Sequence, residues 1–148
     1  MSAMEIVRSV VVDNHIDDVF KLVADARDDP RWRANVLAVE QVEGDGPGPG
    51  ARYDVVHRGV PLRPPRRTVH TCVAWEPPRF IAWHDEDGTD ALDVTCTLEP
   101  VWTATRLTQR TAGELGAPAA LRPLVRLGIG RDVARQLRAL KALLERGG

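Results

Sequence analysis

The spacing of the strand-like runs constrains this chain more than any other feature. Six β-branched, apolar runs follow one another between residues 36 and 111: Val36–Val42, Arg52–Arg58, Thr68–Trp75, Phe80–His84, Leu92–Leu98 and Thr105–Thr111. The gaps between them are filled by turn chemistry, from Gly44–Gly50 and the proline-rich Gly59–Pro65 to Glu76–Pro78, Asp85–Gly88 and Glu99–Thr103. None is long enough to hold a crossover helix, so neighbouring runs must pair antiparallel. From Pro118 onward the apolar period changes from two to about 3.6. Leu121, Val125, Ile129, Val133, Leu137, Leu140 and Leu144 then share one side, with Arg122, Arg126, Arg131, Arg135 and Arg138 mostly elsewhere. The spacing predicts one long amphipathic helix ending at Gly147.

A further strand-like run, Glu5–Val12, precedes the meander. Asp13 and Asn14 offer N-cap chemistry, and Val19, Phe20, Leu22 and Val23 form the apolar face of a helix over about His15–Ala26. Asp28-Asp29-Pro30 breaks it and starts a second short helix carrying Trp32. The expected class is therefore α+β: a curved seven-stranded antiparallel sheet around a C-terminal helix, with two short helices between strands 1 and 2. At 148 residues, with no internal repeat, the chain fits one domain spanning 1–148.

Twenty basic and 21 acidic side chains nearly cancel, which argues against a nucleic-acid partner. The arginine-rich, lysine-poor balance (Lys21 and Lys141 are the only lysines) fits a GC-rich genome. Met1–Val7 lacks a signal-like apolar run, and no segment approaches the roughly 20 apolar residues of a membrane helix. The expectation is a soluble, cytoplasmic protein without membrane insertion. Cys72 and Cys96 read as small buried hydrophobes rather than zinc ligands. No metal and no cofactor is implied, and a homodimer is compatible with the sequence.

Several local motifs carry a resemblance. Val19-Phe-Lys-Leu-Val-Ala-Asp25 with Pro30-Arg-Trp32, Trp75-Glu-Pro-Pro78, and Thr103-Ala-Thr-Arg-Leu-Thr108 stand in the order found in the START-like (SRPBCC) superfamily. Within it the chain resembles the polyketide cyclase/dehydrase-like family. The glycines that members often carry before the last of these motifs are replaced here. The resemblance covers essentially the whole chain. It implies a helix-grip fold with a cavity between sheet and helix, while leaving the reaction open.

Strand alternation assigns the cavity face. Leu92, Val94, Cys96 and Leu98 are expected inward, as are Thr105, Leu107, Gln109 and Thr111. The same rule places Tyr53, Val55 and His57 inside, together with Ile81 and Trp83. For the fourth strand it places Val69, Thr71, Val73 and Trp75 inside, opposite His70, Cys72 and Ala74. A bulge in any of these strands would swap a whole set. Trp32 closes one end. Leu121, Leu124, Val125 and Gly128 complete the expected ligand-binding set, Gly128 by leaving room on the helix or by close packing. The Gly59–Pro65 loop and the small residues of Gly113–Pro118 are expected to gate access.

A mixture of apolar walls, aromatic plates and a few polar groups suits a ligand pocket. The first expectation is a carrier or sensor for a small hydrophobic or aromatic ligand, lipid- or polyketide-like. The alternatives are a cyclase, aromatase or dehydratase with His57 or Tyr53 as acid/base, and a protein-interaction module. His57 is the only histidine that alternation places inside, although a histidine hydrogen-bonded to Tyr53 or Gln109 would look the same. His70 and His84 are expected outside. Asp17, Asp18, Asp28 and Asp29 read as helix N-terminal charges, and Asp85–Asp87 as a turn. A paired-carboxylate mechanism and a serine nucleophile have no support.

Overall fold

The structure is a computed structural model that describes residues 3–59 and 64–146. Seven strands, β1 (Ala3–Val12), β2 (Val36–Glu43), β3 (Arg52–His57), β4 (Arg66–Glu76), β5 (Phe80–Glu86), β6 (Ala91–Val101) and β7 (Ala104–Glu114), form one antiparallel sheet in the order β1-β7-β6-β5-β4-β3-β2. Helix α1 (Ile16–Ala24) and a 3-10 helix (Ala26–Arg31) lie between β1 and β2. A 3-10 turn (Ala119–Leu121) leads into α2 (Arg122–Arg146). This is the helix-grip arrangement expected from the sequence.

The N-cap of α1 lies one residue beyond the expected Asn14. His15 is the N-cap, its Nδ1 accepting from the Asp17 backbone N–H at 3.2 Å, while the Asn14 Oδ1 accepts from the His15 N–H. Asp25 ends α1 and caps the 3-10 helix by accepting from the Arg27 N–H.

The apolar side chains form two clusters. The larger gathers α1, Trp32, Tyr53, Cys72, Ile81, Trp83, Cys96, Leu98, Leu107 and the α2 residues Val133, Leu137 and Leu140. The smaller joins Met4, Ile6, Leu92, Leu115 and Val125. Ile129 packs against both, so α2 crosses from one to the other. Buried charged and polar groups collect where the two meet.

Three expectations about the backbone are corrected. In β4 the register shifts between Cys72 and Ala74. Thr68, His70 and Cys72 therefore face inward, while Thr71 is half-buried and Val73 is 59% exposed. Beyond the bulge the parity reverses, and Trp75 packs edge-on against Phe20 at 5.3 Å. In α2, Gly128 is exposed and a Cβ there would meet nothing within 4 Å, so it neither admits a ligand nor packs closely. The close approach is at Gly130, against Arg8 and Ile6. Gly128→Ala is expected to raise stability by about 0.5–1 kcal/mol, measured by chemical denaturation, because it removes only the helix-interior cost of glycine. Third, Gly113 is no hinge. It is paired on both sides in β7, with Met4 and with Leu92. Of the other expected gate, Gly59–Pro65, residues 60–63 lie outside the described residues.

Candidate functional site

Between the two apolar clusters lies a cavity of about 110 Å3. Its apolar wall is Val36, Val55, Leu92, Val94, Ile129 and Val133. The rest is polar, and the sequence placed most of that side elsewhere.

His70 on β4 and Asp85 on β5 are direct cross-strand partners. Asp85 lies inward because it keeps the parity of Ile81 and Trp83 along β5. Its carboxylate is hydrogen-bonded to His70 Nδ1. The imidazole also stacks on Trp83, with ring centroids 4.1 Å apart and planes 18° from parallel. A carboxylate on Nδ1 fixes the tautomer and leaves Nε2 as the nitrogen for exchange with a ligand. Burial alone would push the Asp85 carboxyl up, but the neighbouring His70 holds it below the usual carboxylate range. His57 on β3 lines the same cavity and is bonded through Nε2 to Thr68 Oγ1 at 3.0 Å.

Opposite this floor, Arg33 organises a directional network. Nη1 donates to Gln136 Oε1 at 2.6 Å, and Gln136 Nε2 donates onward to Asn35 Oδ1 at 2.8 Å. Nη2 donates to Gln109 Oε1 at 3.1 Å, and Gln109 Nε2 donates to Thr111 Oγ1 at 3.1 Å. Each amide spends its acceptor on the cation and its donor on a further oxygen, so the buried polar groups are satisfied in sequence. The guanidinium lies 3.8 Å over the Trp32 ring and pairs with Asp29 at 3.6 Å.

Asp29 is buried at the end of this network. Burial pushes its pKa up to about 6, against the pull of Arg33 and His70. A carboxyl raised in the folded state binds its proton more tightly there than in the unfolded chain. Its contribution to stability is therefore present at low pH and lost as pH rises from about 4 to about 6. The loss is on the order of 2–3 kcal/mol at 1.36 kcal/mol per pKa unit. Denaturation from pH 4 to 7 should show this falling slope, and Asp29→Asn should flatten it.

A matching family model spans residues 3–145 and describes polyketide cyclase / dehydrase and lipid transport proteins. The chain belongs to this family. No curated protein matches it. This family member superposes on TTHA0849 from Thermus thermophilus with a TM-score of 0.83 at 18% identity, covering 98% of this chain and 99% of that one. The Zhui aromatase/cyclase of a Streptomyces species gives 0.83 at 14% identity, over 98% and 95% of the two chains. A START superfamily protein from Mycobacterium smegmatis gives 0.78 at 15%, over 97% and 99%. At these identities the likeness is one of fold.

Against the sequence expectation, Val55, His57, Val94 and Gln109 line the cavity. Trp32, Tyr53, Trp83 and Leu107 are inward but belong to the packed core beside it. Trp32 walls an adjoining space, and Trp83 touches the cavity wall through its stack on His70. Tyr53 is fully buried, its hydroxyl has no hydrogen-bond partner among the described residues, and burial pushes its pKa up to about 12. That phenol stays protonated behind the wall. Trp75 sits against Phe20, and Val125 in the smaller cluster. Thr71 and Val73 lie on the outer side of β4, and Leu121 and Leu124 are 37% and 55% exposed on α2. None of these four lines the cavity.

The missed residues are His70, Asp85, Asp29, Arg33, Asn35, Asp132 and Gln136. His70 was hidden by the bulge, and Asp85 by reading a turn two residues too early. Asp132 and Gln136 had a signal: with Ile129 and Val133 they follow i, i+3, i+4, i+7 spacing on the stripe that faces the sheet. Among the described residues no group of three or more His, Cys, Asp and Glu is arranged to hold a metal. No described helix is long and apolar enough to cross a membrane.

Proposed function

We propose that this family member takes a small, oxygenated molecule of aromatic or polyketide type between sheet and α2, and catalyses proton transfer on it. The reaction class is cyclisation or dehydration. The observation that carries this reading is the His70–Asp85 pair on the cavity wall, with His57 beside it and Arg33 opposite. A purely hydrocarbon ligand would offer no partner to His70 Nε2 or to the Arg33 N–H groups beyond those bonded to Gln109 and Gln136, at a cost of roughly 1–3 kcal/mol per group left covered. A ligand with carbonyl and hydroxyl oxygens meets them.

In a dehydration, His70 Nε2 removes the proton α to a ketone while Asp85 steadies the imidazolium that forms. Electrons move from the C–H bond into the new C=C bond, and the β-hydroxyl departs as water with a proton from His57 acting as the acid. The Arg33 guanidinium, held in place by Gln109 and Gln136, stabilises charge on the ketone oxygen through its positive charge and the N–H groups beyond those two bonds. His57 as catalytic acid, and Val55, Val94 and Gln109 as ligand contacts, remain part of this proposal. Tyr53 has no part in it.

The test is turnover of a β-hydroxy aryl ketone, followed by the absorbance of the conjugated enone. Saturable enone formation that needs His70 supports the reading. Binding without turnover returns the protein to the carrier reading.

A further inference from the structure

We propose that the mouth of the cavity is a subsite for a single negative charge, so that the ligand is a carboxylic acid or other monoanion. This rests on the binding reading above and adds the class of molecule bound. The inner cavity continues outward into a second space of about 270 Å3, walled by Trp32, Ala34, Asn35, Arg58, Asp132, Arg135, Gln136 and Ala139. Asn35, Arg58, Asp132 and Gln136 line both volumes, which makes them parts of one depression.

The arginines of the depression are not equivalent. Arg33 is committed to Gln136, Gln109 and Asp29, and Arg66 to Asp87 at 3.1 Å. Arg58 is different. Its backbone N–H donates to the Asn35 carbonyl, which fixes where the side chain starts, but its guanidinium has no ion pair or hydrogen bond among the described residues. Arg135 has only a 3.4 Å approach to Asp132, and its side chain is 64% exposed. Among the described residues, two cations and one carboxylate therefore line the outer space, an excess of one positive charge. A monoanion balances it, and a dianion would exceed it. The planar fork of arginine matches a carboxylate through two parallel hydrogen bonds.

The geometry then orders the ligand along the depression. Its anionic end stays at Arg58 and Arg135, near solvent, where ionisation survives. Its body passes Asn35 and Gln136 and ends against Val55, Val94 and Val133, beside His57 and His70. A positive mouth also draws anions in from solution, an effect that weakens with salt.

The test compares β-naphthoic acid with β-naphthamide, a neutral molecule of nearly the same shape, by titration calorimetry at pH 7. Side-chain amide NMR signals of Asn35 and Gln136 report the location. The acid is expected to bind about tenfold more tightly, a difference of 1.4 kcal/mol, and that preference should shrink in high salt. In the Arg58→Gln/Arg135→Gln double variant, which leaves Asp132 as the charge at the mouth, the preference for the acid should vanish or reverse while the amide still binds. Equal binding of acid and amide by the unaltered protein overturns the anion subsite and leaves the cavity reading standing. If neither compound binds, both fall. A preference that survives in the double variant places the charge recognition elsewhere and also overturns the assignment.

Discussion

His70→Gln is expected to lower turnover of a β-hydroxy ketone by 10²- to 10⁴-fold while changing the affinity for an unreactive ligand by less than about threefold. That range is the usual contribution of a positioned acid or base, equivalent to roughly 3–5 kcal/mol of barrier. Glutamine keeps a polar group beside Asp85 but cannot exchange a proton near neutral pH. Asp85→Asn should lose less than His70→Gln, because the imidazole remains and only its tautomer and its charged form lose support. The partial loss separates catalysis from folding. A structural role for the pair would instead lower the melting temperature of both variants and leave activity per folded molecule intact. The measurement is kcat set beside binding of an inert aromatic ketone, with thermal denaturation of each variant.

Gly113→Ala is the substitution expected to damage the fold most. Gly113 has φ of +148°, a conformation that residues with a Cβ rarely adopt. An added Cβ would stand 2.1 Å from the Ala91 carbonyl oxygen and 2.9 Å from the Leu92 Cα. Both are backbone atoms of β6, so no rotamer change relieves the overlap. Relief requires β6 and β7 to separate at Leu92, which packs in the smaller apolar cluster and also lines the cavity. Backbone strain of this kind costs about 1–3 kcal/mol before the lost strand pairing is added, so about 3 kcal/mol or more is expected. At roughly 2–4 °C per kcal/mol for a domain of this size, the melting temperature should drop by about 10 °C. Gly128→Ala is the control, since the same change on exposed α2 surface should stabilise. A Gly113→Ala protein as stable as the parent would mean that the two strands do not approach as described.

The architecture was legible because its signals are long and regular. Strands β6 and β7 keep one parity over eleven residues each, so Leu92, Val94, Cys96 and Leu98, and Thr105, Leu107, Gln109 and Thr111, were placed correctly by alternation alone. The long helix was equally plain in the spacing from Val125 to Leu144. The site was less legible for three physical reasons. One extra residue in β4 reverses parity between Cys72 and Ala74, so a face assigned from Trp75 turns His70 outward. Asp85 continues the inner face of β5, yet three acidic residues before a glycine read as a turn. Asp29 and Arg33 occupy a 3-10 segment and its exit, where no period of two or 3.6 states which side is buried. Polar cavity residues are hard to read from a pattern built on hydrophobicity, and here they carry most of the proposed chemistry.

The central claim is that a ligand occupies the space between sheet and α2. Methyl NMR spectra recorded during titration with β-naphthol test it most directly. Saturable shifts at Val55, Val94, Ile129 and Val133, with Met4 and Leu98 unmoved, are the expected result. Shifts confined to the exposed Leu121, Leu124 and Leu127, with the four cavity residues unchanged, would contradict it.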